Sequence, residues 1–300
     1  MIAANGRGTA WARLVSHRLA WVSLIFLAVM IALSLAAPLI AGLRGIDPTQ
    51  TDLFRRFEPP SAQFWLGTDD LGRDLLQRLL DGGRVSLLVG VSGALLSAVL
   101  GAFIGVVAGY LGGRLDAFLM RLTDGVISLP LLPLLIVLAA VDPRKIGVPT
   151  EIAQSETFSL YRIVFIVGLT GWTTVARLVR AETLSLKARD FTRAAQSLGA
   201  TPARIMFRHI LPNAAGSLLV ATTMSVGALV LLESTLSFLG LGIQPPAASW
   251  GNMLTGAQEL LQEAPVLALW PGLLIFLTVI AFNFVGDGLQ DALDPRSERR

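Results

Sequence analysis

Chemistry needs ionisable or nucleophilic side chains in suitable company, and in this chain they are few and set in apolar surroundings. Glu233 stands inside the run Ala214 to Leu241, and Arg121 and Asp124 stand inside Leu115 to Val141. A charge in such a run is costly and points to a conducting path, a proton relay or a paired structural charge. Arg121 and Asp124 are three residues apart on one helical face and are expected to form a structural salt bridge. Glu233 has no evident partner on its own helix, so it either lines a path or caps a neighbouring helix. Asn283 and Asp287 fall near the end of the last apolar run, where interfacial water would solvate them. His17 and His209 alone cannot build a metal centre, and the absence of cysteine excludes disulfides, thiolate metal sites and thiol catalysis. No glycine is followed by lysine, so the Walker A phosphate loop is missing, and neither His-Glu-x-x-His nor Gly-x-Ser-x-Gly occurs. The chain is therefore expected to bind no cofactor or metal and to be no enzyme.

The elements that must position these residues are membrane helices. Of 300 residues, 53% are hydrophobic and 15% charged, and the mean hydropathy is +0.66. The net charge of +3 could suggest nucleic acid, but the arginines are scattered between apolar runs and form no single basic face. A helix needs roughly 20 apolar residues to cross a hydrocarbon core ~30 Å thick. Six runs qualify: Trp21 to Gly42, Val85 to Leu111, Leu115 to Val141, Ile163 to Leu184, Ala214 to Leu241 and Val266 to Gly288. The first is too long for the core of a signal peptide, and further spans follow it. The expected class is an all-α integral membrane protein of one domain, spanning the bilayer six times.

Orientation follows from lysine and arginine. With the N-terminus inside, the inner segments hold 15 of these residues and the outer ones nine. The inner set runs from Arg7 through Arg193, Arg204 and Arg208 to Arg296, Arg299 and Arg300. The acidic residues of the outer loop 43–84 offset its own arginines. Both termini, 1–20 and 289–300, are thus expected in the cytoplasm, with loops 142–162 and 242–265 outside. In the second span Ser97, Gly101, Gly105, Gly109 and Gly113 recur every four residues, a ridge of small side chains against which another backbone can pack. Pro130 and Pro133 in the third span and Pro271 in the sixth predict kinks. The stripe of Leu71, Leu75 and Leu79 among charged residues predicts an interfacial helix ahead of the second span.

One inner loop, 185–213, is long and polar. Its segment "RAAQSLGATPARIMFRHILPN" begins at Arg193. A short helix from Lys187 to Leu198 is expected to stop at Gly199, which suits a left-handed cap. Thr201 and Pro202 then read as N-cap and first residue of a second helix that Pro212 ends, with Asn213 capping the next span. Ordering such a corner costs entropy and contributes nothing to spanning the bilayer, so its shape points to docking.

The stretch resembles the cytoplasmic coupling loop of ATP-binding-cassette importer permeases. Their pattern is Glu-Ala-Ala, three residues, Gly, nine residues, Ile, one residue, Leu-Pro. Ala194, Ala195, Gly199, Leu211 and Pro212 match it, whereas Arg193 stands in place of the glutamate and His209 in place of the isoleucine. "LGTDDLGRD", "GYLGGRLD", "ARLVRAETLSLKARDF", "LESTLSFLGLGIQPPAASWGNML" and "FNFVGDGLQDALDPR" are similar, in order and spacing, to the dipeptide and oligopeptide branch of these importers. The resemblance implies a type I ABC importer permease fold with cytoplasmic coupling helices. It implies as partners a homologous second permease, two ATPase subunits that use ATP and magnesium, and an extracytoplasmic substrate-binding protein; Gln244 to Trp250 would be a contact for the last, and Asp287 for the ATPase. An ion-coupled secondary transporter is the alternative. It would need a carboxylate such as Glu233 or Asp124 at mid-membrane and would leave the corner unexplained.

Overall fold

The computed structural model describes residues 13–15, 17–153, 155–255 and 260–293; Arg7, Arg296, Arg299 and Arg300 lie outside the described residues. Among those described there is no strand, and five helices are long and apolar enough to cross a membrane, with a bent pair that would make a sixth. Helix α1 (Arg18–Arg44) starts where His17 Nδ1 accepts the Ala20 amide at 3.2 Å. It stops at Gly45, whose φ of 64° is left-handed.

Helix α2 (Leu75–Leu111) is 37 residues long, about 55 Å at the usual helical rise. The interfacial helix expected before the second span is therefore not a separate element. Asp74 caps α2 by accepting the Gln77 amide at 2.6 Å, and Leu75, Leu79 and Leu80 are buried in its first turns. The helix runs unbroken through Gly82 and Gly83, of which Gly82 lies tightly against Ser249 and Trp250 and Gly83 against Ser34 and the Trp250 ring.

The third span is broken rather than kinked. Helices α3 (Gly113–Ser128) and α4 (Leu131–Ala140) meet at 87°. Pro130 forbids helical geometry at Leu129, whose ψ is 136°, and the chain turns there. Pro133 breaks nothing, since it sits in the first turn of α4, where amides have no partner to lose. Gly113, at φ 59°, begins α3 and so leaves the small-residue ridge of α2.

Helix α5 (Glu156–Lys187) begins earlier than expected, because the Ser155 hydroxyl caps it by accepting the Phe158 amide at 3.2 Å. Before it, the loop expected over 142–162 holds a 3-10 turn, Pro143–Ile146. There the Arg144 guanidinium beside Asp142 draws its carboxyl down to about 2, so the pair stays charged at ordinary pH. After α5 come α6 (Asp190–Ser197), α7 (Ala215–Phe238) and α8 (Val266–Leu293), the last continuous through Pro271. The expected spans thus start or end a few residues away from the observed helices, most at α2, α5 and α8.

Helices α2 and α5 run parallel, and their contacts step together. The Ser97 hydroxyl donates to the Gly168 carbonyl at 2.7 Å. A Cβ on Gly101 would meet the Trp172 carbonyl at 2.7 Å, one on Gly105 the Ala176 carbonyl, and one on Gly109 the Arg180 carbonyl at 2.9 Å. Four residues along one helix match four along the other, so two backbones touch along one row. Around this pair, Leu87, Val89, Val167, Val226, Val230 and Phe282 form the main core.

Two substitutions test that packing. Gly105→Leu should force the helices apart at a destabilisation of about 3 kcal/mol, read as a fall in thermal midpoint in detergent. Gly125→Ala, where the new methyl group meets nothing within 4 Å, should be neutral or stabilising by up to about 1 kcal/mol. Equal midpoints for the two variants would refute the close approach.

Candidate functional site

At the end of the bundle where α2 and α5 terminate, the chain makes a rigid corner over 188–214. Helix α6 ends in a double bond: the Gly199 amide donates to the Gln196 carbonyl at 2.9 Å and the Ala200 amide to Ala195 at 3.0 Å. Gly199, at φ 77°, supplies the left-handed residue this closure needs. Thr201 then accepts the Arg204 amide, and Pro202 opens a new helical turn. From Ile205 to Ile210 the turn widens to a π-helix, and the Leu211 amide reaches the Met206 carbonyl at 2.9 Å. Nothing in the residue pattern announces that widening. Its effect is to bury Ile205, Met206 and Ile210 together, against Val106, Tyr110, Val175 and Val179.

Polar contacts fasten the same region. Lys187 Nζ donates to the Tyr110 carbonyl at 2.6 Å and lies 5.2 Å from the centre of the Tyr110 ring. Thr192 donates to the Leu186 carbonyl at 2.8 Å. Arg180 grips Asp116 with two parallel bonds of 2.6 and 2.7 Å, which holds the start of α3 against α5. The inner face of the corner is thus apolar and pinned. Its outer face is open: Arg193, Ala194, Gly199 and Pro212 are exposed, and Leu198 is 88% exposed at the tip. Ala195 and Leu211 are half-buried. Asn213 does not cap the following helix; its side chain donates to the His209 carbonyl, and α7 starts without a side-chain cap.

At the opposite end Glu233 is wholly buried, and it does have a partner on its own helix. Ser237 donates to Oε1 at 2.6 Å, and Ser86 of α2 donates to Oε2 at 3.0 Å. These serines in turn accept backbone amides from the loop after α7, Ser237 that of Ile243 at 3.0 Å and Ser86 that of Trp250 at 3.2 Å. Glu233 therefore ties α7, α2 and the loop into one knot. The spacing of Glu233 and Ser237, i and i+4, is the signal that could have found the first contact; nothing local points to Ser86. Trp250 is fully buried with its indole N–H on the Leu79 carbonyl at 2.9 Å, so within Gln244 to Trp250 only Gln244, Pro245 and Pro246 are exposed.

Two further expectations change. Asp124 does not pair with Arg121 but with Arg177, because α3 folds back along α5 and brings that guanidinium within reach. Both partners are half-exposed, so the pair adds little to stability. "LGTDDLGRD" is a folded clasp: Asp69 accepts from the Leu71 and Arg73 amides and pairs with Arg73 and Arg78, while Asp74 receives Arg44 from the end of α1 at 2.8 Å. Asn283 donates to the Val279 carbonyl of its own helix, and Asp287 is exposed.

With this geometry in hand, comparison with known proteins is specific. Residues 101–299 match the family described as binding-protein-dependent transport system inner membrane component, and residues 7–60 match the N-terminal TM domain of oligopeptide transport permease C. The oligopeptide transport system permease protein OppC of Bacillus subtilis (strain 168) is 38% identical over 287 residues, 96% of this chain and 88% of that protein. OppC of Escherichia coli (strain K12) is 39% identical over 285 residues, covering 95% and 89%. The dipeptide transport system permease protein DppC of B. subtilis (strain 168) is 38% identical over 291 residues, covering 97% and 86%.

The two ends yield separate tests. Gly199→Ala keeps the space but not the left-handed backbone, a strain of about 1–2 kcal/mol. Amide exchange at Ala200 should accelerate about tenfold while exchange in α2 is unchanged. Glu233→Ala should lower the thermal midpoint by the equivalent of about 1–3 kcal/mol, because it strips the serine hydroxyls of their acceptor. Glu233→Gln, which restores an acceptor, should recover most of that loss.

Proposed function

The chain belongs to the family of binding-protein-dependent transport system inner membrane components, and from that premise we propose that it carries di- or oligopeptides across the membrane as one half of a two-permease path. It is a multi-pass permease subunit of an ABC importer and is itself non-catalytic, with ATP hydrolysed by separate subunits. The names of its relatives supply the cargo: they are oligopeptide and dipeptide permeases, and this chain is similar to them over nearly its whole length.

In this reading the corner over 188–214 receives the ATPase subunits. The observation that supports it is the division of the corner into two faces. Ile205, Met206 and Ile210 are keyed into the ends of α2 and α5, while Arg193, Ala194, Leu198 and Gly199 stand free. An exposed leucine beside small residues is a surface that another protein can approach closely. Whatever moves that face must move α2 and α5 with it. Arg193, standing where related permeases carry glutamate, reverses the charge offered to the partner at one point, so an acidic partner side chain is expected there. The excess of lysine and arginine on this side supports a cytoplasmic corner and cytoplasmic termini. The clasp over 67–78 and the exposed Gln244 to Pro246 then face outward, where an extracytoplasmic binding protein delivers cargo. The Glu233 knot, with serine hydroxyls on both carboxylate oxygens, holds that outer surface in shape, a structural role for one of the two carboxylates an ion-driven carrier could use.

The test is purification of this chain from mildly solubilised membranes, with and without Gly199→Trp. A second permease and ATP-hydrolysing subunits should co-purify with the parent chain. The variant should express normally yet lose at least tenfold in peptide-stimulated ATP hydrolysis and uptake. A chain that purifies alone and transports without ATP would overturn the reading.

A further inference from the structure

A cavity of about 510 Å³ lies between the end of α1, the first turns of α2, Leu160 of α5 and the loop segment Pro246 to Ala248. Most of its wall is apolar, with Pro38, Leu160 and Pro246 among the contributors. One face is not: Gln77, Asp81 and Arg84 recur at i, i+4 and i+7 along α2, with Arg78 beside them. Gln77 is wholly buried, and its amide nitrogen donates to the Ala37 carbonyl at 2.9 Å and to Asp81 Oδ2 at 3.2 Å. Its amide oxygen has no partner among the described residues. Turning the amide over would set oxygen against a carbonyl and a carboxylate, so the orientation is determined and the buried acceptor is left to find a donor.

The charges beside it are unevenly committed. Arg78 is buried and paired with Asp69 at 3.3 Å. Asp81 and Arg84 form no ion pair within 4 Å among the described residues, and Arg84 is exposed. Of the residues lining the cavity, Gln77 holds a buried acceptor with no donor, Asp81 a half-buried carboxylate, and Arg84 an exposed guanidinium at the rim. An ammonium group has three donors and a positive charge, which answers both acceptors at once. A carboxylate on the same molecule answers Arg84. The volume is that of a small-molecule site.

We propose that this cavity is a subsite for a small zwitterionic peptide, with its free α-ammonium group bound by Asp81 and Gln77. The proposal rests on the permease reading and adds a place within this chain where the cargo is held by its amino terminus. The whole complex in lipid nanodiscs, without the extracytoplasmic binding protein, is titrated calorimetrically with L-alanyl-L-alanine and with N-acetyl-L-alanyl-L-alanine. The free dipeptide should bind saturably and the acetylated one at least tenfold more weakly. Asp81→Asn should weaken the free dipeptide about tenfold as well. Thr49→Trp, an exposed loop position at the cavity that leaves the α2 side chains untouched, should block binding, and it decides the matter if the Asp81 variant fails to assemble. Equal binding of the two dipeptides, wild-type affinity in Asp81→Asn, or no saturable binding by a complex that still hydrolyses ATP would overturn the subsite, the last meaning that the cavity holds only water. A complex that neither assembles nor hydrolyses ATP would overturn the permease reading instead.

Discussion

Between Ser97 and Gly109 the backbone of α2 lies directly on that of α5, and the remaining elements are arranged around that approach. In a bilayer no hydrophobic gain draws helices together, so close van der Waals contact and an occasional hydrogen bond must do it. A row of small residues allows the first, and the Ser97 hydroxyl on Gly168 supplies the second. Because the two helices run parallel, the chain between them has to return across the bundle, which is what α3 and α4 accomplish. The parallel register also sets the end of α2 beside the end of α5. There Lys187 finds Tyr110 and the buried residues of the corner find their floor.

The polar side chains are concentrated at the two ends of this pair. At one end Glu233, its serines and Trp250 knot α7 and a loop onto α2. A few turns away the clasp of Asp69, Asp74 and Arg44 binds α1 and its loop to the same helix. Buried polar groups of this kind are costly unless satisfied, and nearly every oxygen in both clusters has a donor. Among the described residues the Gln77 amide oxygen, in a residue lining the α1–α2 cavity, lacks a donor, as does the buried Ser34 hydroxyl beside Gly83.

Much of this was legible from residue types. Apolar runs announced the spans, glycine spacing the ridge, and Gly199, Thr201 and Pro202 the corner, because each depends on local periodicity or on a backbone preference. What escaped was non-local. Asp124 was expected to choose Arg121 three residues away, but Arg177 reaches it only through the fold of α3 along α5. Ser86 meets Glu233 across 147 positions. Trp250 looked like a surface contact because its neighbours are prolines and glycines, and it is buried because Gly82 and Gly83 leave space for its ring. The length of α2 was underestimated for a related reason: charged residues near its start suggested an interface, while Asp74 and Arg78 find their partners, Arg44 and Asp69, on other elements.

The continuity of α2 through Gly82, Gly83 and the whole ridge has a mechanical consequence. A helix without a break resists bending and transmits torque along its length, whereas the 87° joint at Leu129 and Pro130 is the obvious place for compliance. Under a load applied at the corner α2 would act as one continuous rod reaching the Trp250 end, and the jointed span beside it is where the chain would resist bending least.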